Sequence, residues 1–487
     1  MKSKRRRHWC MVLLILIMYS FRMISASRVN LEVDEPINYL TSINTHLIGF
    51  PAVKEELGQE LEPYFSHPPF GSMITAQWFN LVGNDILLAR ILSVFMSTLA
   101  LAMLAGFMRT TIGYYAGLFT LLLLGSDCWL IMTNSMFYLE NIQLVLLVAT
   151  ARVYWKTLSE VGETQKKAYL CTLTGILVGT VFIYKHIGVY LVLGVITGWF
   201  ALRKNHQYHW VILSVALLVV TIYSQLMYQR WGNWWWDPTW HQIQRTFGQR
   251  EARGLNYGID TMIEVLIERY WIFGVTIVGM SLGALSTVIT YAGYVLGKVK
   301  LRYATAVIVF WGMGAIIFGG GTALRSPHYF MLWLLPFWTL IAIGLYQLYR
   351  KRPWVVIGIL VLLVSLNLLT FANRILTPHG DVIADSAQYV TEELPETAIV
   401  ATEPYIAALF DQKYVRYDQT SLLELLDVGA THLVLYWTTT ADIPEEVGGK
   451  GLALSYCNPV SEEFSGFKDY AVVCEINREN LKNLINP

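Results

Sequence analysis

The sequence predicts a polytopic α-helical membrane protein: about eleven transmembrane helices with the N-terminus cytoplasmic, a large first outer loop and a small C-terminal extracytoplasmic α/β domain. Three observations predict it. Hydrophobic residues make up 55% of the 487, too many for an ordinary soluble multidomain chain. They gather into runs of about 20, the length that crosses a hydrocarbon core of ~30 Å. Lys and Arg recur at every second loop, which orients those runs.

The runs are residues 9–27, 89–108, 114–133, 137–155, 168–184, 186–202, 210–228, 271–297, 303–319, 329–349 and 353–371. The inside segments then read "KSKRRRH", Arg109, "RVYWK" with Lys166 and Lys167, "LRK", "KVKLR" and "RKR". An odd number of spans puts the C-terminus outside, together with the loops at 28–88, 229–270 and 320–328. "SAS" at 25–27 resembles a signal-peptide cleavage site, but ten further runs follow and the first is long for a signal sequence.

Residues 1–371 therefore read as a transmembrane domain and 372–487 as the outer domain. In the latter, "DSAQYVTEELP" and "SLLELLDVGA" have helical periodicity, and "TAIVAT" and "HLVLYW" are buried-strand text. Cys457 and Cys474 lie in strand-like segments that a hairpin could bring together. Outside the cytoplasm such a pair can oxidise; the alternative is two buried thiols. Cys10, Cys128 and Cys171 lie in or beside apolar runs, and no pair has zinc or dithiol spacing.

A net charge of +1 points to no nucleic-acid partner. The chain has no glycine-rich phosphate loop, HExxH, GxSxG or twin transporter halves. Ionisable residues avoid the centres of most spans and collect at their outer ends, which argues against an ion pathway and for a reaction site at the outer interface.

Several outer features converge in this topology: Asp34 and Glu35 in "NLEVDEPINYL", His67 in "YFSHPPFG", Glu140 in "FYLENIQ", Lys185 and His186 in "IYKHIG", and Arg325 and His328 in "LRSPHYFMLWLLP". Carboxylates beside cations suit a site that handles a phosphate and deprotonates a hydroxyl. Each has a bland alternative. Asp34 and Glu35 also suit a helix N-terminus with Pro36 in its first turn, and His67 before two prolines suits a turn. Lys185 can snorkel and Arg325 can anchor headgroups. Glu140, inside an apolar stretch, is the hardest to explain away, because an unpaired carboxylate at membrane depth loses several kcal/mol. The aromatic loop "YQRWGNWWWDPTWHQ" reads first as an interfacial belt and second as a sugar-stacking surface.

Taken in order, these segments resemble the C superfamily of integral-membrane glycosyltransferases, which use polyprenyl-phosphate-linked sugars, and within it the branch of protein O-mannosyltransferases and the lipid A aminoarabinose transferase. "DEPINYL" is similar to the family's Asp-Glu motif and "YFSHPPFG" to its His-Pro-Pro motif. "ARILSVF" resembles the arginine-led second span, "FYLENIQLVLL" the second acidic position, "YKHIGVYLVL" a lysine segment, and "HYFMLWLLPFWTLIAIG" the (R/H)Y-x-L-P-x-L-P run. The likeness covers Asp34 to about Gly344 and extends loosely to the outer domain.

The resemblance implies a sugar moved from a polyprenyl-phosphate donor to a hydroxyl or phosphate of a glycan, lipid or protein, at the outer membrane face and with inversion. It implies Asp34 as catalytic base, Glu35 beside it and Glu140 as second acid. Lys185 and Arg325, with Arg245 and Arg250 of "QIQRTFGQR", would meet the donor phosphate; His67, His186 and His328 would line the substrate site. Three departures leave the acceptor unassigned. Ser72 stands where protein mannosyltransferases carry a lysine, His67 and Pro68 replace the aminoarabinose enzymes' Glu-Lys, and Glu140 replaces a commoner Asp. Asp34, Glu35, His67 and Glu140 offer ligands for a divalent metal, but their spacing defines no metal geometry and none is assigned. The rival classes are a lipid-linked glycan flippase or transporter, which predicts discontinuous helices with midplane polar sites, and a non-catalytic binding subunit of the same fold. The modest size and single small outer domain favour a prokaryotic plasma membrane, with the active site and C-terminal domain facing outside.

Overall fold

The computed structural model describes residues 2–31, 34–54, 61–65, 68–160, 164–202, 206–246, 275–321, 330–376, 380–416, 422–438, 453, 455–465 and 469–485. In chain order, the helices up to the second large loop are α1 (Lys2–Ala26), α2 (Asp34–Ile48), α3 (Phe70–Val82), α4 (Ile86–Thr111), α5 (Tyr114–Ser126), α6 (Cys128–Ser135), α7 (Leu139–Ser159), α8 (Thr164–Tyr184), α9 (Val189–Ala201), α10 (His206–Trp231) and α11 (Asn233–Thr246). After it come α12 (Val275–Val295), α13 (Tyr303–Gly321), α14 (Phe330–Tyr349) and α15 (Pro353–Ile375).

Each of the eleven predicted runs contains helix. Among the described residues seven helices are long and apolar enough to cross a membrane, or eight if the bent pair α5 and α6 forms one span. The segments His186–Ala201 and Tyr303–Gly319 are apolar but shorter, and α7, which carries Glu140, Arg152 and Lys156, does not meet the same test.

Cα packing divides the chain into two units: residues 1–27, 65–74 and 87–376, and residues 28–64, 75–86 and 377–487. In the first, α8 packs closely against α10 and α9 against α13. Helix α14 is largely buried, whereas α10 leaves Leu217, Leu218 and Leu226 exposed, the apolar surface a lipid-facing helix needs.

The bend between α5 and α6, 67°, has an identifiable cause. Asp127 caps α6 by accepting from the Leu130 N–H at 3.0 Å, which stops α5 from running on. Its carboxylate also accepts from Thr276 Oγ1 of α12 and from Trp338 Nε1 of α14, each at 3.0 Å. Buried Arg22 of α1 reaches the Leu124 carbonyl at 3.5 Å, and Ser135 Oγ donates to the Arg22 carbonyl at 2.9 Å. A charge at this depth must be solvated by protein. Here doing so joins five helical segments, α1, α5, α6, α12 and α14.

The second unit holds α2, the hairpin of β1 (Ala52–Lys54) and β2 (Leu61–Pro63), and a C-terminal α/β layer. That layer contains α16 (Val382–Glu393), β3 (Ile399–Thr402), α17 (Pro404–Ala407), β4 (Lys413–Arg416), α18 (Leu422–Asp427), β5 (His432–Thr438), β6 (Cys457–Pro459), β7 (Phe464–Ser465), β8 (Asp469–Ile476) and α19 (Arg478–Ile485). The sheet order is β4-β3-β5-β8-β6, with β7 also on β8. Strand β3 is parallel to β4 and β5, while β8 is antiparallel to β5, β6 and β7. The α/β class and the order helix, strand, helix, strand are those the sequence predicts. Val400, Val434 and Val473 face Val382, Ile383 and Ile406 in one core; Leu433, Leu435 and Cys474 lie in another on the opposite face. This is the period-two alternation of a sheet covered on both sides. Cys457 and Cys474 are disulfide-bonded, with Cα atoms 5.4 Å apart, the oxidised of the two states the sequence left open.

His432 on β5 lies opposite Glu475 of β8. Burial lowers its pKa from 6.5, partly offset by the Glu475 charge. The unfolded chain therefore takes the proton first as pH falls. Stability is full above pH 6.5 and declines from there toward the lowered folded value. His432→Gln is expected to remove that step from the pH dependence of second-unit unfolding, followed by hydrogen exchange; an unchanged slope would contradict it.

Candidate active site

The strongest polar feature of the first unit is made by two residues that the sequence singles out separately. Glu140 is in the first turn of α7, where a carboxylate meets the positive end of the helix dipole. Lys185 follows the end of α8 in extended conformation (φ −156°, ψ 131°) and precedes a single 3₁₀ turn, His186–Gly188. Its Nζ lies 2.5 Å from Glu140 Oε1, with the side chains 5% and 0% exposed. Burial to this degree is what distinguishes the pair from a surface salt bridge, whose contribution is small.

The backbone around the pair is braced by amides. One turn into α7, Gln143 Nε2 donates to the Val181 and Lys185 carbonyls at 3.0 and 3.2 Å, holding the frayed end of α8. Asn141 Nδ2 donates to the Thr133 and Met136 carbonyls at 3.0 and 3.1 Å, fixing the break between α6 and α7. Gly71, in the first turn of α3, approaches the same helix start, since a Cβ there would come within 2.8 Å of the Leu139 side chain. Only glycine allows that contact without a shift. His186 packs its ring against Phe182 at a 5.6 Å centroid distance.

In the second unit, Asp34 and Glu35 open α2. Asp34 is half-buried and Glu35 fully buried. Pro36 sits in the first turn, as the bland reading of this segment had it. The face α2 buries is polar: Ser42 Oγ donates to the Asn38 carbonyl and Thr45 Oγ1 to the Thr41 carbonyl, each at 2.7 Å, and Asn44 Nδ2 to the Ala52 carbonyl at 2.8 Å. Tyr39 packs edge-on against Phe79 and donates its hydroxyl to the Asn84 carbonyl. Burial, then the Asp85 charge, raises its pKa above 10.0.

The structure thus brings Glu140 and Lys185 together and places Asp34 and Glu35 side by side on one helix. Arg245 lies on α11; His67, Arg250, Arg325 and His328 lie outside the described residues. Among the described residues no three His, Cys, Asp or Glu side chains gather as a metal site would require, and no step below runs through a metal. Sequence reasoning passed over Asp127 and Arg22. The signal was available, because a charge inside an apolar run is the criterion that picked out Glu140.

Glu140→Gln leaves the Lys185 ammonium buried without its counter-charge, and is expected to lower stability by about 3–5 kcal/mol. Pairing it with Lys185→Met should recover most of that loss. Unfolding midpoints of the single and double variants in detergent test the coupling, and additive losses would contradict it.

Residues 66–228 match the family model described as dolichyl-phosphate-mannose-protein mannosyltransferase. No curated protein sequence matches the chain. Among solved structures, ArnT from Cupriavidus metallidurans bound to undecaprenyl phosphate superposes with a TM-score of 0.59 at 12% identity, covering 96% of this chain and 98% of that one. The archaeal oligosaccharyltransferase AglB from Archaeoglobus fulgidus, in complex with an inhibitory peptide and a dolichol-phosphate, gives 0.59 at 11% identity over 94% of this chain and 73% of its own. Over nearly its whole length the chain thus has the fold of these membrane enzymes, and over residues 66–228 its sequence pattern is similar to that of the mannosyltransferase family.

Proposed function

We propose that the chain transfers a sugar from a polyprenyl-phosphate donor to an acceptor hydroxyl, or phosphate, of a glycan, lipid or protein, on the outer face of a prokaryotic plasma membrane. The observation that carries this is the buried Glu140–Lys185 pair, which falls inside the family-matched segment. Relatives of the same fold hold undecaprenyl phosphate and dolichol-phosphate, in keeping with a lipid-phosphate donor.

The chemistry follows from the donor. The bond that breaks joins the anomeric carbon to a phosphate oxygen, and its electron pair leaves on polyprenyl phosphate. That anion is already stabilised, so no general acid is required. Lys185, Arg325, Arg245 and Arg250 meet its charge. The bond that forms joins the anomeric carbon to the acceptor oxygen, a weak nucleophile unless its proton is removed as the bond forms. Asp34 takes that proton, an effect of about 10² to 10⁴ in rate, with the fully buried Glu35 next to it in the chain. In-line attack inverts the sugar through an oxocarbenium-like state. Glu140 holds Lys185 charged and oriented, and His67, His186 and His328 line the sugar and acceptor. A phosphate acceptor would need no base, and Asp34 would then orient groups.

The transporter reading gains one observation, the broken helix at Asp127. The carboxylate there is engaged by Leu130, Thr276 and Trp338, as a structural cap would be. A transporter or binding subunit also leaves its donor intact. Asp34→Asn is therefore expected to reduce transfer of a labelled sugar by at least about 10²-fold while the far-UV circular dichroism stays that of the wild type. Full activity in this variant would remove Asp34 from the mechanism.

A further inference from the structure

The segment that carries Asp34 is fastened to the C-terminal α/β layer across 350 residues of sequence. The Leu31 backbone N–H donates to Asp381 Oδ2 at 2.8 Å, and Asn30 Nδ2 donates to the Gly380 carbonyl at 2.6 Å. Asp381 has a second task. Its Oδ1 accepts from the Ala384 N–H at 3.1 Å and caps α16. One carboxylate thus satisfies an orphan donor of a helix start and grips the chain three residues before Asp34. Gly380 is pressed so closely to β7 that a Cβ would lie 2.6 Å from the Ser465 carbonyl oxygen, so no larger residue fits at the clamp without a shift.

Apolar contacts extend the fastening into α2. Leu31 and Ile37 pack against the sheet's α16-side core, and α2 touches α17, the short helix that leaves the carboxyl end of β3. Strand β3 lies between its two parallel neighbours, β4 and β5. The carboxyl end of such a strand is the switch point at which open α/β sheets commonly take a ligand. Here α2 packs against the element that emerges from it.

We infer that Asp381 is a positioning residue for Asp34, and that the outer α/β layer serves the reaction as the mount of the base-bearing helix. The inference rests on the reading of Asp34 as base. A carboxylate held by one anchored amide on its N-terminal side and one apolar contact on its C-terminal side has little freedom to drift. Misplacement of a reacting group by about 1 Å can reduce rate by ~10².

Asp381→Asn separates the two tasks of the side chain. An asparagine still caps α16 through its carbonyl oxygen, but its amide then presents a donor to the Leu31 N–H. Expected for the full-length variant are transfer at kcat reduced about 10- to 100-fold, a donor KM within about twofold of wild type because binding groups are untouched, and an unchanged unfolding midpoint. Amides 34–40 should exchange hydrogen about tenfold faster or more, while those of α16 keep their protection. Asn30→Ala, which leaves Asp381 intact, should move the same observables in the same direction more weakly. Wild-type kcat in Asp381→Asn, alongside an inactive Asp34→Asn, would overturn the positioning role and leave the base role standing. An active Asp34→Asn would overturn both. Faster exchange spread over the whole outer unit, with a lowered midpoint, would show Asp381 to be structural only and overturn the inference as well.

Discussion

A carboxylate and an ammonium cannot sit singly in hydrocarbon, and the membrane unit is organised around that constraint. Lys185 can meet Glu140 only if α8 stops at Tyr184, and the chain then passes through one extended residue and a single 3₁₀ turn before α9 begins. Helix α7 must begin where Glu140 falls in its first turn. Gln143 and Asn141 satisfy the carbonyls that these two interruptions expose. Asp127 imposes the same logic elsewhere: one buried carboxylate ends α5, caps α6 and draws in Thr276 and Trp338. In each case a local break in the helical ladder is stabilised by the polar group that caused it. Breaks of this kind also give a membrane protein places to put chemistry.

Much of this was legible in the sequence, for reasons that differ between elements. The helices were legible because hydrophobic run length is a property of the chain alone. Glu140 and Lys185 were each conspicuous as charges beside apolar text. The break at Lys185 was read correctly between the runs 168–184 and 186–202, but the pairing was not, because it depends on how α7 and α8 pack against each other, which run length does not encode. Asp127 sits between two stretches that read as one span, so its role as a cap could not be seen without the 67° bend. Strands β3 and β5 of the α/β layer were readable as short buried-strand text, whereas β4 and β7 were not read. The cysteine pair was readable only as two alternatives, since strand pairing rather than spacing brings Cys457 beside Cys474.

The recruitment of the segment before α2 by the C-terminal layer left the least trace. Nothing in "NLEVDEPINYL" marks Leu31 as the partner of an aspartate 350 positions away. Its physical basis is plain once the contacts are known. Helix α2 buries a polar face, with Asn38, Thr41, Ser42 and Asn44 all inaccessible, and so gains little from apolar burial on that side. It needs Leu31, Ile37 and the Asp381 clamp to fix it. The three acids of the segment therefore separate by environment: Asp34 keeps partial exposure, Glu35 has none, and Glu32 lies outside the described residues. A reacting group needs both access and a fixed position, which is why the proposed reading gives that role to Asp34 rather than to Glu35.

The proposed function reduces to one chemical event, cleavage of a lipid-phosphate sugar at its anomeric bond by this chain. The most direct measurement incubates the purified protein with a panel of polyprenyl-phosphate sugars and follows release of polyprenyl phosphate. The account predicts release from at least one donor, with the transferred sugar of inverted configuration. Every donor recovered intact while bound to, or carried across the membrane by, a correctly folded protein would contradict it.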